Sequence, residues 1–151
     1  MSLNLNKTYK DLQVSGEKTQ VDGSCKCGAI KYNVKIPIAP EGTFVATKCN
    51  CSFCGKFGIT SLSPESPQDF TLIQPSNKEE IPGDYTRNPS TQHRYFCNMC
   101  GVHVFQEGEY EYEGTKHAFF SVNAATLDQP QERVDLSKVK IGYWDGLSNN
   151  W

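Results

Sequence analysis

The chain has 151 residues, 37% of them hydrophobic, which is enough for one domain with a real core. Lys and Arg number 15 against 17 for Asp and Glu, and the resulting net charge of -2 gives no general attraction to nucleic acid or to an anionic membrane. No apolar run approaches the length of a membrane span. The opening "MSLNLNKTYKDLQVSG" lacks the basic start and apolar stretch of a secretory signal, so an intracellular, cytoplasmic protein is expected. Residues 1–20 are polar and predict an extension ahead of a single domain over 21–151.

Within that domain the coarse reading is mainly β, with few short helices. "AIKYNVKI" alternates strictly, with Ile30, Tyr32, Val34 and Ile36 on one face and lysines and asparagine on the other. Further short strands are expected at "TFVAT" (43–47), "DFTLIQ" (69–74), "HRYF" (93–96), "VHVFQ" (102–106) and "HAFFSV" (117–122). Proline- and glycine-rich pieces separate them, notably "SPESPQ" (63–68), "QPSNKEEIPGD" (74–84) and "RNPS" (87–90). The run "EGEYEYEG" (107–114) reads as a solvated hairpin. In the tail "IGYWDGLSNNW", Tyr143, Trp144 and Trp151 are costly to leave in water, which predicts a terminal segment docked on the core.

The chemistry lies in seven cysteines, none of them isolated: "CKCG" (Cys25, Cys27), "CNCSFCG" (Cys49, Cys51, Cys54) and "CNMCG" (Cys97, Cys100). In an extended segment Cys-x-Cys offers both sulfurs to one side, and Cys-x-x-Cys in a tight turn is the common local half of a structural zinc site. Each cluster ends in Cys-Gly, at Gly28, Gly55 and Gly101, where a turn needing positive φ is expected. Two pairs plus a triplet suggest a closed four-thiolate site and a three-thiolate site with one open position, the kind of position a catalytic zinc needs. Spacing leaves open that the triplet shares a cluster with one of the pairs. A dithiol redox site fits less well, because the βαβ setting is missing, and seven cysteines divide badly among iron–sulfur clusters.

The succession "GSCKCGAIKY", "CNCSFCGKFG" and "RYFCNMCGVHVF" resembles the glutathione-dependent formaldehyde-activating enzyme family, also described with the centromere-protein-V-like domain. The resemblance covers roughly residues 21 to 127, and "YWDGLSNNW" is similar to the endings of fungal members. It implies a mostly antiparallel β domain built around two zinc ions. Cys25, Cys27, Cys97 and Cys100 would hold the structural zinc, and Cys49, Cys51 and Cys54 the catalytic one. It further implies glutathione as co-substrate and formaldehyde as electrophile, joined to S-hydroxymethylglutathione, a reaction whose reverse makes the enzyme a carbon–sulfur lyase. Family members often carry His where this chain has Asn50 and Lys26, which puts the substrate pocket beside the triplet in question.

Several neighbours of the clusters are candidates of lower weight. Lys48 and Lys56 flank the triplet and would offset its charge or hold a glutathione carboxylate, if they are not simply solvated. His93, His103 and His117 are candidates for proton transfer, with surface or packing roles the plainer reading, and alternation points His103 outward. Two other functions suit the same residues: a lyase acting on a different glutathione conjugate, or a non-catalytic zinc-stabilised binding or chaperone module. The module would be favoured if the triplet closed on a protein ligand such as His93.

Overall fold

The computed structural model describes residues 14–86 and 91–148. Ten strands form two sheets. A three-stranded sheet has the order β1 (Glu17–Ser24), β2 (Lys31–Ile38) and β5 (Phe70–Gln74), antiparallel throughout. The second sheet runs β10 (Val139–Trp144), β3 (Phe44–Cys49), β4 (Ser61–Leu62), β9 (Thr115–Asn123), β8 (His103–Tyr112), β7 (Gln92–Phe96) and β6 (Gly83–Asp84). Only β10 against β3 is parallel. Among the described residues, helical structure is confined to one six-residue α-helix, α1 (Ser52–Phe57), and to short 3-10 turns. None of the described helices is long and apolar enough to cross a membrane.

The alternation in β2 does what its pattern predicts. Tyr32, Val34, Ile36 and Ile38 are buried, while Lys31 and Lys35 are exposed. The buried residues share one core cluster with Phe105, Val104 and Val122 of the larger sheet. Phe70 of β5 joins the layers, its ring 4.8 Å from those of both Phe105 and Phe120. Burying such aromatic and branched side chains contributes roughly 1.5–3 kcal/mol each, which is what holds two small sheets together. The Tyr32 hydroxyl bonds Thr126 Oγ1 at 2.7 Å, so the phenol is buried without an orphaned oxygen.

Two features, the start of β1 and the place of His103, differ from the sequence reading, while the docked tail agrees with it. β1 begins at Glu17, inside the segment read as an extension, and pairs with β2 along its whole length; residues 1–13 lie outside the described part. Its polar sequence hides it, because only Val21 and Gly23 of this edge strand are buried. The tail forms β10, docked on β3 from Val139↔Phe44 to Trp144↔Cys49, with Trp151 outside the described residues. His103 is not outward but buried, 5% exposed. Strict alternation fails there because the β7–β8 register shifts at Tyr95/Phe96, and residues 103–106 are buried on both faces. By contrast, "EGEYEYEG" does form an exposed hairpin, turning at Glu113 and Gly114 with positive φ at both.

A Cβ added at Gly23 would collide with the Tyr32 ring. Gly23→Ala is therefore expected to lower stability by on the order of 2 kcal/mol, measured as a smaller urea midpoint. An unchanged midpoint would show that the ring can yield.

Candidate metal centres

The seven sulfurs gather into two groups. Within each, all ligand atoms lie within 4.8 Å of one another: Cys25, Cys27, Cys97 and Cys100 in one, Cys49, Cys51 and Cys54 in the other. All seven cysteines are free thiols.

The four-sulfur group is made by two similar turns. The first follows β1, where Cys25 N–H donates to Ile30 O and Gly28 N–H to Cys25 O, both at 3.0 Å. The second lies between β7 and β8, where Cys97 N–H donates to Val102 O at 2.9 Å and Gly101 N–H to Cys97 O at 2.7 Å. Gly28 and Gly101 take the positive φ that these turns require, 81° and 75°. Cys27 Sγ lies 3.7 Å from Cys25 Sγ and 3.5 Å from Cys97 Sγ. Four sulfurs about 2.3 Å from one tetrahedral zinc would sit about 3.8 Å apart, so the cradle fits that ion. Backbone N–H groups of Cys27 and Val102 pull the Cys100 thiol down to about 6. The Ala29 N–H favours the Cys27 thiolate too, but the neighbouring sulfurs of Cys97, Cys25 and Cys100, together with burial, push it up to about 11. A cation is what would let all four ionise together.

The three-sulfur group is local. Cys49 ends β3, Cys51 is the N-cap of α1, and Cys54 lies in its first turn. Cys51 Sγ accepts the Cys54 N–H at 3.3 Å and Cys49 Sγ the Cys51 N–H at 3.4 Å, so sulfur takes the place of the usual capping oxygen. The glycine expectation fails here. Gly55 is helical, and the left-handed residue is Gly58, which ends α1 at φ 65°. Burial raises the Cys49 and Cys54 thiols, and the negative charge of Cys51 raises Cys54 further. Burial also opposes the Cys51 thiolate, yet the Cys54 N–H and the neighbouring thiols outweigh it, and Cys51 is lowered. The surroundings thus favour the thiolate at Cys51 and oppose it at Cys49 and Cys54, an opposition that a bound cation would relieve. No His, Asp, Glu or further Cys joins this group among the described residues, so a metal held there keeps a position free.

Residues 20–141 match the family model for the glutathione-dependent formaldehyde-activating enzyme. The chain belongs to that family. A Halomonas elongata protein named "Putative glutathione-dependent formaldehyde-activating enzyme" is 26% identical over 122 residues, covering 77% of this chain and 73% of its own length.

Asn50 is held by the segment that follows β10. Its Nδ2 donates to Asp145 Oδ1 at 2.7 Å, its Oδ1 accepts from Leu147 N–H at 2.9 Å, and its N–H donates to Trp144 O at 3.2 Å. The Gly146 N–H also favours the Cys49 thiolate. The segment after β10 is thus clamped onto the triplet loop, a contact between residues 95 and 97 positions apart that sequence spacing could not reveal. Lys26 is exposed. Lys48 and Lys56 are exposed at either side of the triplet and make no ion pair among the described residues. His93 binds Asp84 through Nδ1 at 2.7 Å instead of closing the triplet, and His117 stacks on Tyr110 at 5.3 Å on the exposed hairpin. Two other groups near the triplet matter more: half-buried Arg94, whose guanidinium lies 4.0 Å over the Phe53 ring, and buried His103. Arg94 was not singled out by sequence. Nothing local in the sequence marks it.

Native mass spectrometry is expected to find two zinc ions per chain. Asp145→Ala removes the clamp, and the second ion should then be lost to a chelator about tenfold more readily while the first is retained. Simultaneous loss of both ions, or no change, would contradict the clamp's local role.

Proposed function

We propose that the protein is a zinc-dependent carbon–sulfur lyase that joins the thiol of glutathione to formaldehyde and reverses that addition. The observation that carries this reading is the group of three cysteines with no fourth protein ligand among the described residues, in a chain of the formaldehyde-activating family. The roles then divide. Cys25, Cys27, Cys97 and Cys100 hold a structural zinc, and Cys49, Cys51 and Cys54 the catalytic one. Zinc at the triplet supplies a place for one further sulfur and favours it as thiolate.

The protein's own groups do the rest. N–H groups of Cys51 and Cys54 donate to the Cys49 and Cys51 sulfurs and spread their charge. Arg94 sets a positive charge beside Cys54 and Cys51. Exposed Lys48 and Lys56 attract the carboxylates of glutathione. In the addition, a carbon–sulfur bond forms, the carbonyl π pair moves to oxygen, and that oxygen takes up the proton the thiol gave; nothing is oxidised or reduced. A cytoplasmic setting, rich in reduced glutathione, suits seven free thiols.

One observation favours the second reading, a lyase for a bulkier glutathione conjugate. Phe53, Phe57 and Tyr85 form an aromatic group beside the triplet, with Phe57 and Tyr85 exposed, more apolar surface than formaldehyde needs. A purely structural module is disfavoured by the triplet's lack of a fourth protein ligand among the described residues.

The uncatalysed addition is fast, so the test is two-dimensional exchange NMR on an equilibrium mixture of formaldehyde, glutathione and adduct. The protein should speed exchange, and Cys51→Ser should abolish the increase. Equal rates with both proteins would remove formaldehyde activation as the reaction, and conjugate cleavage would take its place if glutathione still binds.

A further inference from the structure

Beside the triplet, four buried side-chain nitrogens have no hydrogen-bond partner among the described residues: Nε and Nη1 of the half-buried Arg94, and both ring nitrogens of His103. Unpaired buried donors are rare, and an unpaired buried charge is rarer still. Three other cations of the fold are engaged. Arg133 donates to the carbonyls of Ile38, Ala39 and Pro40, Lys78 pairs with Glu107, and Lys18 pairs with Asp69 and Glu65. The acid near Arg94 is already used: Asp84 takes His93 Nδ1 on Oδ2 and the Arg94 main-chain N–H on Oδ1.

What holds the guanidinium is aromatic. Its carbon lies 4.0 Å from the Phe53 ring centroid and 5.9 Å from that of Phe119. Stacking of this kind occupies the flat face of the group and leaves its N–H edges free for a planar anion. Phe53 immediately precedes Cys54 in α1, and the charges of Cys54 and Cys51 act on the guanidinium. His103 sits under Phe57 of the same helix, ring centroids 6.2 Å apart, and is kept neutral by burial and then by Arg94. A neutral imidazole still offers one N–H.

We propose that Arg94 and His103 bind a carboxylate of the thiol substrate, so that the site selects thiols that carry one. This rests on the reading that the triplet handles a thiol, and it adds an inner anchor to the outer lysines. The guanidinium would accept one carboxylate by charge-assisted hydrogen bonds, with the imidazole N–H donating to the same group.

The test uses the zinc-loaded full chain and calorimetric titration with three thiols: 3-mercaptopropionate, 2-mercaptoethanol and reduced glutathione. Wild type should bind 3-mercaptopropionate about tenfold tighter than 2-mercaptoethanol, the discrimination expected of one charge-assisted contact. Arg94→Gln should erase that preference and weaken glutathione, Arg94→Lys should keep part of it, and His103→Gln should reduce it about threefold, with two zinc ions still bound in each. Should Arg94→Gln lose zinc, His103→Gln decides, and Lys48→Gln with Lys56→Gln, which should leave most of the preference, separates the inner anchor from the outer lysines. Equal affinities for them in wild type, or a preference that survives Arg94→Gln, would overturn the proposal. If glutathione binds wild type and Arg94→Gln alike, this inference falls and the proposed function stands. If the small-thiol preference depends on Arg94 but glutathione does not bind, the glutathione reading falls and this inference stands. If no thiol binds, both fall.

Discussion

Ionised sulfurs held within a few ångströms of one another repel, and the fold depends on overcoming that repulsion at the junction of Cys25, Cys27, Cys97 and Cys100. The first pair sits between the strands of the smaller sheet and the second between strands of the larger, so the junction ties one sheet to the other. Cys27 and Cys97 are 70 residues apart in the chain. Closing so long a loop is entropically costly, and a metal bond made only in the folded state offsets that cost directly. Cys25 and Cys97 are also part of the apolar core, so the junction and the core form together.

The triplet is a different kind of object. Its three sulfurs come from six consecutive positions, a strand end and the first turn of a short helix. A loop of that length closes at little cost, so a metal there would not be needed to hold distant parts of the chain together. What it needs is positioning, and that comes from elsewhere. β10 pairs beside Cys49, and Asn50 is gripped by Asp145 and Leu147. On the other side, α1 rests its two phenylalanines on Arg94 and His103. A local ligand set braced by remote segments suits a site that exchanges one of its ligands during work.

Much of this was legible because it rests on local patterns. Period-two alternation marks β2, and Cys-x-Cys and Cys-x-x-Cys mark the turns, since each depends only on neighbours in the chain. The failures share the opposite cause. β1 buries two residues and borrows its identity from β2. The partners of Asn50 stayed hidden because they lie near the other end of the chain. His103 looked outward because one register shift between β7 and β8 breaks the alternation that pointed it there. Arg94 carried no local signature, because what distinguishes it is the lack of an acceptor, which only the packed structure reveals.

The central claim is that the seven cysteines form two separate centres, one complete and one waiting for a sulfur. Zinc X-ray absorption on the two-zinc protein, with and without glutathione, reads this directly. Seven cysteine sulfurs shared by two ions give a mean of about 3.5 sulfurs per zinc, and a thiol taken up at the triplet raises it to about 4, with no zinc–zinc scattering in either state. A sulfur count that does not move when glutathione is added, or a short zinc–zinc vector showing one shared cluster, would contradict the account.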